Sequence, residues 1–231
     1  MFAAIARSYD LNNRVHSFWQ DVRWRRSAVR LAALRPGEQV LDVACGTGDL
    51  AQTFARARPA PPRVVGLDAT PQMLDVARHK QSEARARRPD DPAGVIEYVL
   101  GDAMALPYAA GSFDVVSIAF GIRNVADPSA ALREFYRVLR RGGRLVVLEF
   151  DRPSPAPVRW MSDLYTRRVM PLTATLISGD RSGAYRYLPR SVETFMTRQE
   201  MGRAITGAGF IGWRAEALTM GVCACHRAEK A

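Results

Sequence analysis

A chain of 231 residues, 48% of them apolar, is long enough to bury the core of one α/β domain. No stretch approaches the roughly 20 apolar residues of a membrane span, and Met1-Phe2-Ala3-Ala4-Ile5-Ala6-Arg7 lacks the basic start and long apolar run of a secretory leader. Three cysteines, an odd number, argue against a disulfide framework and for the cytoplasm, while a net charge of +10 fits arginine-rich codon usage or attraction to an anionic surface.

In chain order, Leu11, Val15, Phe18, Trp19 and Val22 form a helical apolar stripe, with Arg14, Arg23, Arg25, Arg26 and Arg30 nearby. Two readings stay open: a lid helix packed on a sheet, or an interfacial helix with aromatic and basic anchors. Val40 to Val43 reads as a short buried parallel strand interrupted only by Asp42. It runs into Gly46-Thr47-Gly48, where two glycines let the backbone turn sharply and approach a ligand. Gly46, Gly48 and Ala51 also satisfy the lenient dinucleotide pattern, with Asp68 twenty residues after Gly48 as its ribose ligand. Asp42 tilts the choice, because a carboxylate at the mouth of the loop repels a pyrophosphate and attracts an ammonium.

Leu50 to Arg58 then reads as a helix ended by Pro59-Ala60-Pro61-Pro62, and Val64 to Leu67 as a second strand ending at Asp68. Pro71 opens a helix with Met73, Leu74 and Ala77 on one side. The basic run Arg78, Lys80, Arg85, Arg87 and Arg88 reads as its solvated end, and no nucleic-acid module accompanies it. Val95 to Leu100 is a third strand leading into Gly101-Asp102-Ala103, and Phe113 to Phe120 a fourth. Ala126 to Arg140 follows as a helix with Leu132, Phe135, Tyr136 and Leu139 at core spacing, and Gly142-Gly143 turns into a fifth strand, Leu145 to Phe150. Strands alternating with helices imply a parallel sheet, whose ligand lies at the carboxyl ends of the strands. Asp42, Asp68 and Asp102 all sit there. Asp68 suits two ribose hydroxyls and Asp102 an amino group.

The Val40–Asp49 loop resembles the first motif of the S-adenosylmethionine-dependent methyltransferases. Several stretches together resemble a narrower group, the bacterial ubiquinone/menaquinone biosynthesis C-methyltransferases: Phe2 to Asp10 with Asn13 and Trp24-Arg25-Arg26; Leu41 to Asp49; Phe120-Gly121-Ile122-Arg123-Asn124-Val125; Arg137-Val138-Leu139 through Gly142-Gly143 to Leu148-Glu149-Phe150; Tyr185-Arg186-Tyr187-Leu188; Ala208-Gly209-Phe210; and the ending around Gly221 and His226. Asp21, Arg141, Asp151 and Ala119 depart from the pattern, Ala119 standing where that group often has a serine that contacts the cofactor.

The resemblance implies a Rossmann-like class I fold, a mostly parallel seven-stranded sheet with helices on both faces. Residues 1–231 would form one domain: a helical lid over 1–36, a cofactor core over 37–150, and substrate-side helices with the last strands over 151–231. It implies S-adenosyl-L-methionine held by Asp42, Gly46, Thr47, Gly48, Asp68, Asp102, Ala103 and the backbone of Ala119. It implies methyl transfer to a ring carbon of demethylmenaquinol, or of the corresponding benzoquinol. Arg123 would stabilise the quinolate and Asn124 orient its hydroxyl, although Arg123 also reads as a buried arginine paired with an acid. No metal is expected; Cys223 and Cys225, two apart, read as sharing one face of a late strand. The acceptor's tail implies contact with a membrane surface, and Trp160 to Ile177 reads either as its pocket wall or as an ordinary insertion helix. A homodimer is compatible with the chain. A methyltransferase of secondary metabolism and a non-catalytic cofactor-binding scaffold are the rival readings.

Overall fold

In a computed structural model, residues 10–153 and 194–231 are described, together with positions 156–157, 160, 164–165 and 191–192 between them. Phe2 to Tyr9, Tyr185 to Leu188 and most of Trp160 to Ile177 lie outside these residues.

Seven strands form one sheet in the order β3-β2-β1-β4-β5-β7-β6. They are β1 (Gln39–Val43), β2 (Arg63–Asp68), β3 (Glu97–Leu100), β4 (Phe113–Ala119), β5 (Leu139–Phe150), β6 (Ile211–Leu218) and β7 (Cys223–Glu229). The first five run parallel, and β7 pairs antiparallel with both β5 and β6. The order reverses between β1 and β4, which opens a crevice at their carboxyl ends.

Side chains alternate between the two faces of the central strands. Val40, Val115 and Val146 join a core with Trp24, Leu31, Phe54 and Leu74, from α1 (Gln20–Ala32), α2 (Asp49–Ala55) and α3 (Pro71–Arg87). Leu41, Val116 and Val147 join the opposite core with Leu132, Phe135, Met201 and Ile205, from α4 (Pro128–Val138) and α5 (Arg198–Gly207). Helices therefore cover both faces, as expected, and Cys223 and Cys225 share the first of these cores.

The structure corrects four boundaries besides that of β3, which starts at Glu97 rather than Val95 because Asp91 caps a turn of 3-10 helix over Pro92–Val95. Helix α2 ends at Ala55, three residues before the expected stop. Helix α4 starts at Pro128 rather than Ala126, because the Asp127 carboxylate accepts the backbone N–H groups of Ser129 and Ala130 and proline presets the first helical φ. It stops at Val138, and Leu139 pairs with Phe113 as the start of β5. Gly142 and Gly143 therefore lie inside β5, in a bulge where the register jumps from Leu139 opposite Phe113 to Arg144 opposite Val115. Gly142 has φ +71°, which a glycine adopts without strain.

The fourth correction concerns the N-terminal stripe, which is not one helix. Residues 10–16 are helical, Phe18 and Trp19 turn through left-handed backbone at φ 51° and 59°, and α1 starts afresh at Gln20. Trp24 then packs in the core and donates from its indole to Thr219 Oγ1 at 2.8 Å.

Candidate functional site

The site begins at the end of β1. Ala44 takes φ 50°, Gly46 56° and Gly48 83°, so the chain bends three times before α2. Phe120, at the end of β4, takes φ 55°. Left-handed alanine and phenylalanine carry strain that the surrounding packing must hold. The two bends touch, since a side chain on Gly121 would run into the Cβ of Ala44. A side chain on Gly48 would strike the Tyr98 ring, whereas around Gly46 the corresponding space is open to 4 Å.

Asp42 lies almost wholly buried at 1% exposure. Ser117 Oγ donates to its Oδ1 at 2.8 Å, and Oδ2 is left without a partner. Burial pushes the carboxyl up to about 7, with Ser117 and Arg25 drawing it partly back. Asp68 stands at the end of the adjacent strand and is used structurally as well: Oδ2 accepts the Gly46 N–H and Oδ1 the Thr70 N–H, each at 2.8 Å. Each oxygen keeps a second lone pair. Asp102 is exposed just past β3, its Oδ1 accepting the Met104 N–H at 2.9 Å. Ala103 turns its methyl into the core, and Ala119 is half-buried at the end of β4. Thr47 donates to Asp10 Oδ1 at 2.5 Å. The structure thus brings Asp42, Gly46, Thr47, Gly48 and Asp68 together around one loop, with Asp102 at the next strand end.

Arg123 and Asn124 sit past β4 in a single turn of 3-10 helix, Ile122–Asn124. The Arg123 side chain is only 6% exposed. Its Nη1 donates to Glu149 Oε1 at 2.8 Å and to the Phe120 carbonyl at 2.5 Å, its Nε points to Ser191 Oγ at 3.4 Å, and its guanidinium stacks over the Phe150 ring at 5.2 Å. Burial raises the Glu149 carboxyl and Arg123 pulls it partly back; Glu149 Oε2 has no partner. Arg123 is thus paired with an acid and also forms part of the wall of a cavity of about 480 Å³, with Val125, Ser191, Phe195 and Met196. Asn124 is exposed and donates to the Phe120 carbonyl at 3.3 Å.

A charge network that sequence reasoning missed ties the N-terminal segment to the glycine loop. Lys80 Nζ lies 2.5 Å from Asp49 Oδ1 and 2.6 Å from Asp10 Oδ2. Arg14 bridges Asp21 at 2.8 Å and Asp49 at 3.1 Å, and Arg25 meets Asp21 at 2.6 Å. Burial alone would raise the Asp49 carboxyl, but Arg25, Lys80 and Arg14 outweigh it and hold it below the usual range. Asp21, one of the departures from the family pattern, is the buried partner of two arginines.

A family model described as the ubiE/COQ5 methyltransferase family matches residues 1–230. The chain belongs to this family. A demethylmenaquinone methyltransferase from Thermus thermophilus is 46% identical over 230 residues, all of both chains. One from Deinococcus radiodurans is 42% identical, covering all of this chain and 91% of the relative. A ubiquinone/menaquinone biosynthesis C-methyltransferase UbiE from Geotalea daltonii is 37% identical, covering 100% and 94%. Among solved structures, a SAM-dependent methyltransferase from Thermotoga maritima, described as a possible histamine N-methyltransferase, superposes with TM-score 0.68 at 21% identity, covering 100% and 98%. The [4+2]-cyclase SpnF superposes at 0.64 with 19% identity, covering 92% and 82%. These likenesses establish the class I methyltransferase fold, and the cyclase shows that the fold alone does not choose a reaction. In this methyltransferase, the residues present fit a sulfonium cofactor: an orphaned buried carboxylate oxygen on Asp42, open space at Gly46, and carboxylates at two further strand ends.

Proposed function

We propose that this methyltransferase converts demethylmenaquinol to menaquinol by methylating a ring carbon with S-adenosyl-L-methionine. Carrying the reading is the end-to-end match, at 46% identity, to a protein named for that activity. A second acceptor, the polyprenyl benzoquinol, follows from the UbiE relatives at 37–39%. The protein meets either acceptor at the inner membrane surface, because a polyprenyl tail resides in the bilayer.

The bound cofactor supplies an electrophilic methyl group on a cationic sulfur. Asp42 would offer Oδ2 to the methionine ammonium, Asp68 its remaining lone pairs to ribose hydroxyls, and Asp102 an oxygen to the adenine amino group. The backbone of Gly46 to Gly48, with Thr47, and that of Ala103 and Ala119 would line the same cofactor. A ring carbon beside a phenolic hydroxyl becomes nucleophilic when that hydroxyl ionises, and a phenol with a pKa near 10 is mostly protonated at neutral pH. Arg123, fixed by Glu149 and Phe150, would hold the quinolate oxygen, and Asn124 would orient the hydroxyl. The apolar side chains of Val125, Phe195 and Met196 beside Arg123 would limit water around an anionic acceptor held there, which suits a transfer in which charge is neutralised.

Radiolabelled methyl transfer to a short-tailed demethylmenaquinol and to the matching benzoquinol, with wild type and Arg123→Ala, tests this. The expected result is labelled menaquinol from wild type and a loss of at least about a hundredfold in kcat for the variant, with cofactor affinity unchanged. Labelling of neither quinol despite cofactor binding would move the assignment to secondary metabolism or to a scaffold.

A further inference from the structure

The left-handed turn at Phe18 and Trp19 does something unusual with large apolar residues. It turns them outward, to 69% and 60% exposure, with Leu11 at 56%. Tyr165 packs on Phe18 with ring centroids 5.8 Å apart, and its hydroxyl lies 3.0 Å from His16 Nδ1. Leu164, the residue before Tyr165 in the chain, is 43% exposed. The fold has room to bury Trp24, only five residues on, so exposure of the pair is not forced by a full core.

Basic charge surrounds the turn. Arg23 and Arg26 are exposed on α1, the helix that begins at it. Arg26 also borders a groove of about 490 Å³ between α1 and α2, where Arg14, Arg25 and Arg56 are already paired with Asp21, Asp49 and Asp91, so the uncommitted charge lies on the outer face of α1. Position matters as much as composition. The bonds from Arg14 to Asp49 and from Thr47 to Asp10 hold this segment against the cofactor loop, at the carboxyl edge of the sheet where the crevice opens. Aromatic side chains beside arginines at the mouth of a site suit an interface that is apolar inside and anionic outside.

We propose that the Phe18–Trp19 turn inserts into an anionic phospholipid bilayer, with the exposed Arg23 and Arg26 taking the headgroup phosphates. The surface rests on the quinol reading for its purpose, since docking here would set the crevice against the membrane that holds the acceptor. Its existence as a lipid-binding surface is measurable without any acceptor.

Co-sedimentation with phosphatidylglycerol–phosphatidylcholine vesicles and with pure phosphatidylcholine vesicles is the test, together with Trp fluorescence. Wild type should partition to the anionic vesicles, with a blue shift that Trp19→Ser abolishes and with weaker binding in high salt. Phe18→Ser/Trp19→Ser should weaken partitioning at least tenfold, and Arg23→Gln/Arg26→Gln about thirtyfold. All these side chains are exposed, so both variants should keep the melting temperature of wild type and its turnover of a short-tailed, water-soluble quinol. Partitioning that survives both double variants would overturn the proposal. So would indifference to lipid charge, or a concentration-dependent dimer that shields Trp19 in place of vesicle binding. Inactivity on every quinol with vesicle binding intact would instead overturn only the acceptor.

Discussion

Asp42 carries the sharpest trade-off among the individual residues. A buried carboxyl with a pKa of about 7 against an ordinary 3.8 makes the folded state bind its proton more tightly than the unfolded chain does. Its contribution is therefore most favourable at acidic pH and is lost as pH rises through about 7. The same ionised oxygen is what an ammonium would need, so cofactor affinity should move the other way, falling as pH drops through about 7. Asp42→Asn should weaken cofactor binding more than tenfold at pH 8 in calorimetry, yet stabilise the unliganded protein at that pH by about 1–3 kcal/mol in thermal melts. Glu149 works at one remove, by fixing Arg123. Glu149→Gln keeps the shape and a hydrogen bond but removes the charge, and should cut kcat about tenfold while leaving the KM for the cofactor unchanged. Glu149→Ala, which strands a buried guanidinium, should cost about 3–5 kcal/mol of stability.

Among the elements, the N-terminal segment departs furthest from its expectation. Lys80 reads in the sequence as part of a solvated basic helix end, and Arg85, Arg87 and Arg88 are indeed exposed. Lys80 itself is drawn inward by Asp49 and Asp10, partners 31 and 70 residues away. Lys80→Ala should loosen residues 10–16 from the glycine loop. Limited proteolysis should then cut there, cofactor affinity should fall several-fold and stability by about 1–3 kcal/mol, whereas Arg87→Ala should change none of these. Motif and period reveal what is local: the strand–loop–helix at Asp42, the strand ends at Asp68 and Asp102, and the Arg123–Asn124 turn. They do not reveal contacts distant in sequence. Nothing around Glu149 announces that it will meet Arg123, and the apolar spacing of Leu11 to Val22 continues straight through the turn that breaks it. Gly142-Gly143 reads as a turn because a bulge and a turn ask the same freedom of glycine.

At the scale of the molecule, two buried groups titrate in opposite senses over one pH window. His226 on β7 is held neutral by burial, its pKa lowered to about 4, with Trp213 donating to its Nδ1 at 3.3 Å. The unfolded chain takes up that proton near 6.5, so stability from His226 is lost as pH falls from about 6.5 towards 4, while Asp42 gains over the same range. His226→Leu should therefore narrow the acid limb. The drop in stability between pH 8 and pH 4.5 should be about 1–3 kcal/mol smaller than in wild type, read from melts at the two pH values.

The reversal of strand order between β1 and β4 sets the Asp42 loop and the Arg123 turn at the carboxyl ends of neighbouring strands, and carbon methylation is the reaction proposed for the site they frame. It is tested most directly by incubating the wild-type protein with S-adenosyl-L-methionine bearing a 13C methyl and short-tailed demethylmenaquinol, then locating the label in the product. The account predicts a methyl bonded to the quinone ring carbon. Label on a phenolic oxygen, or none on the acceptor while the cofactor binds, would contradict it.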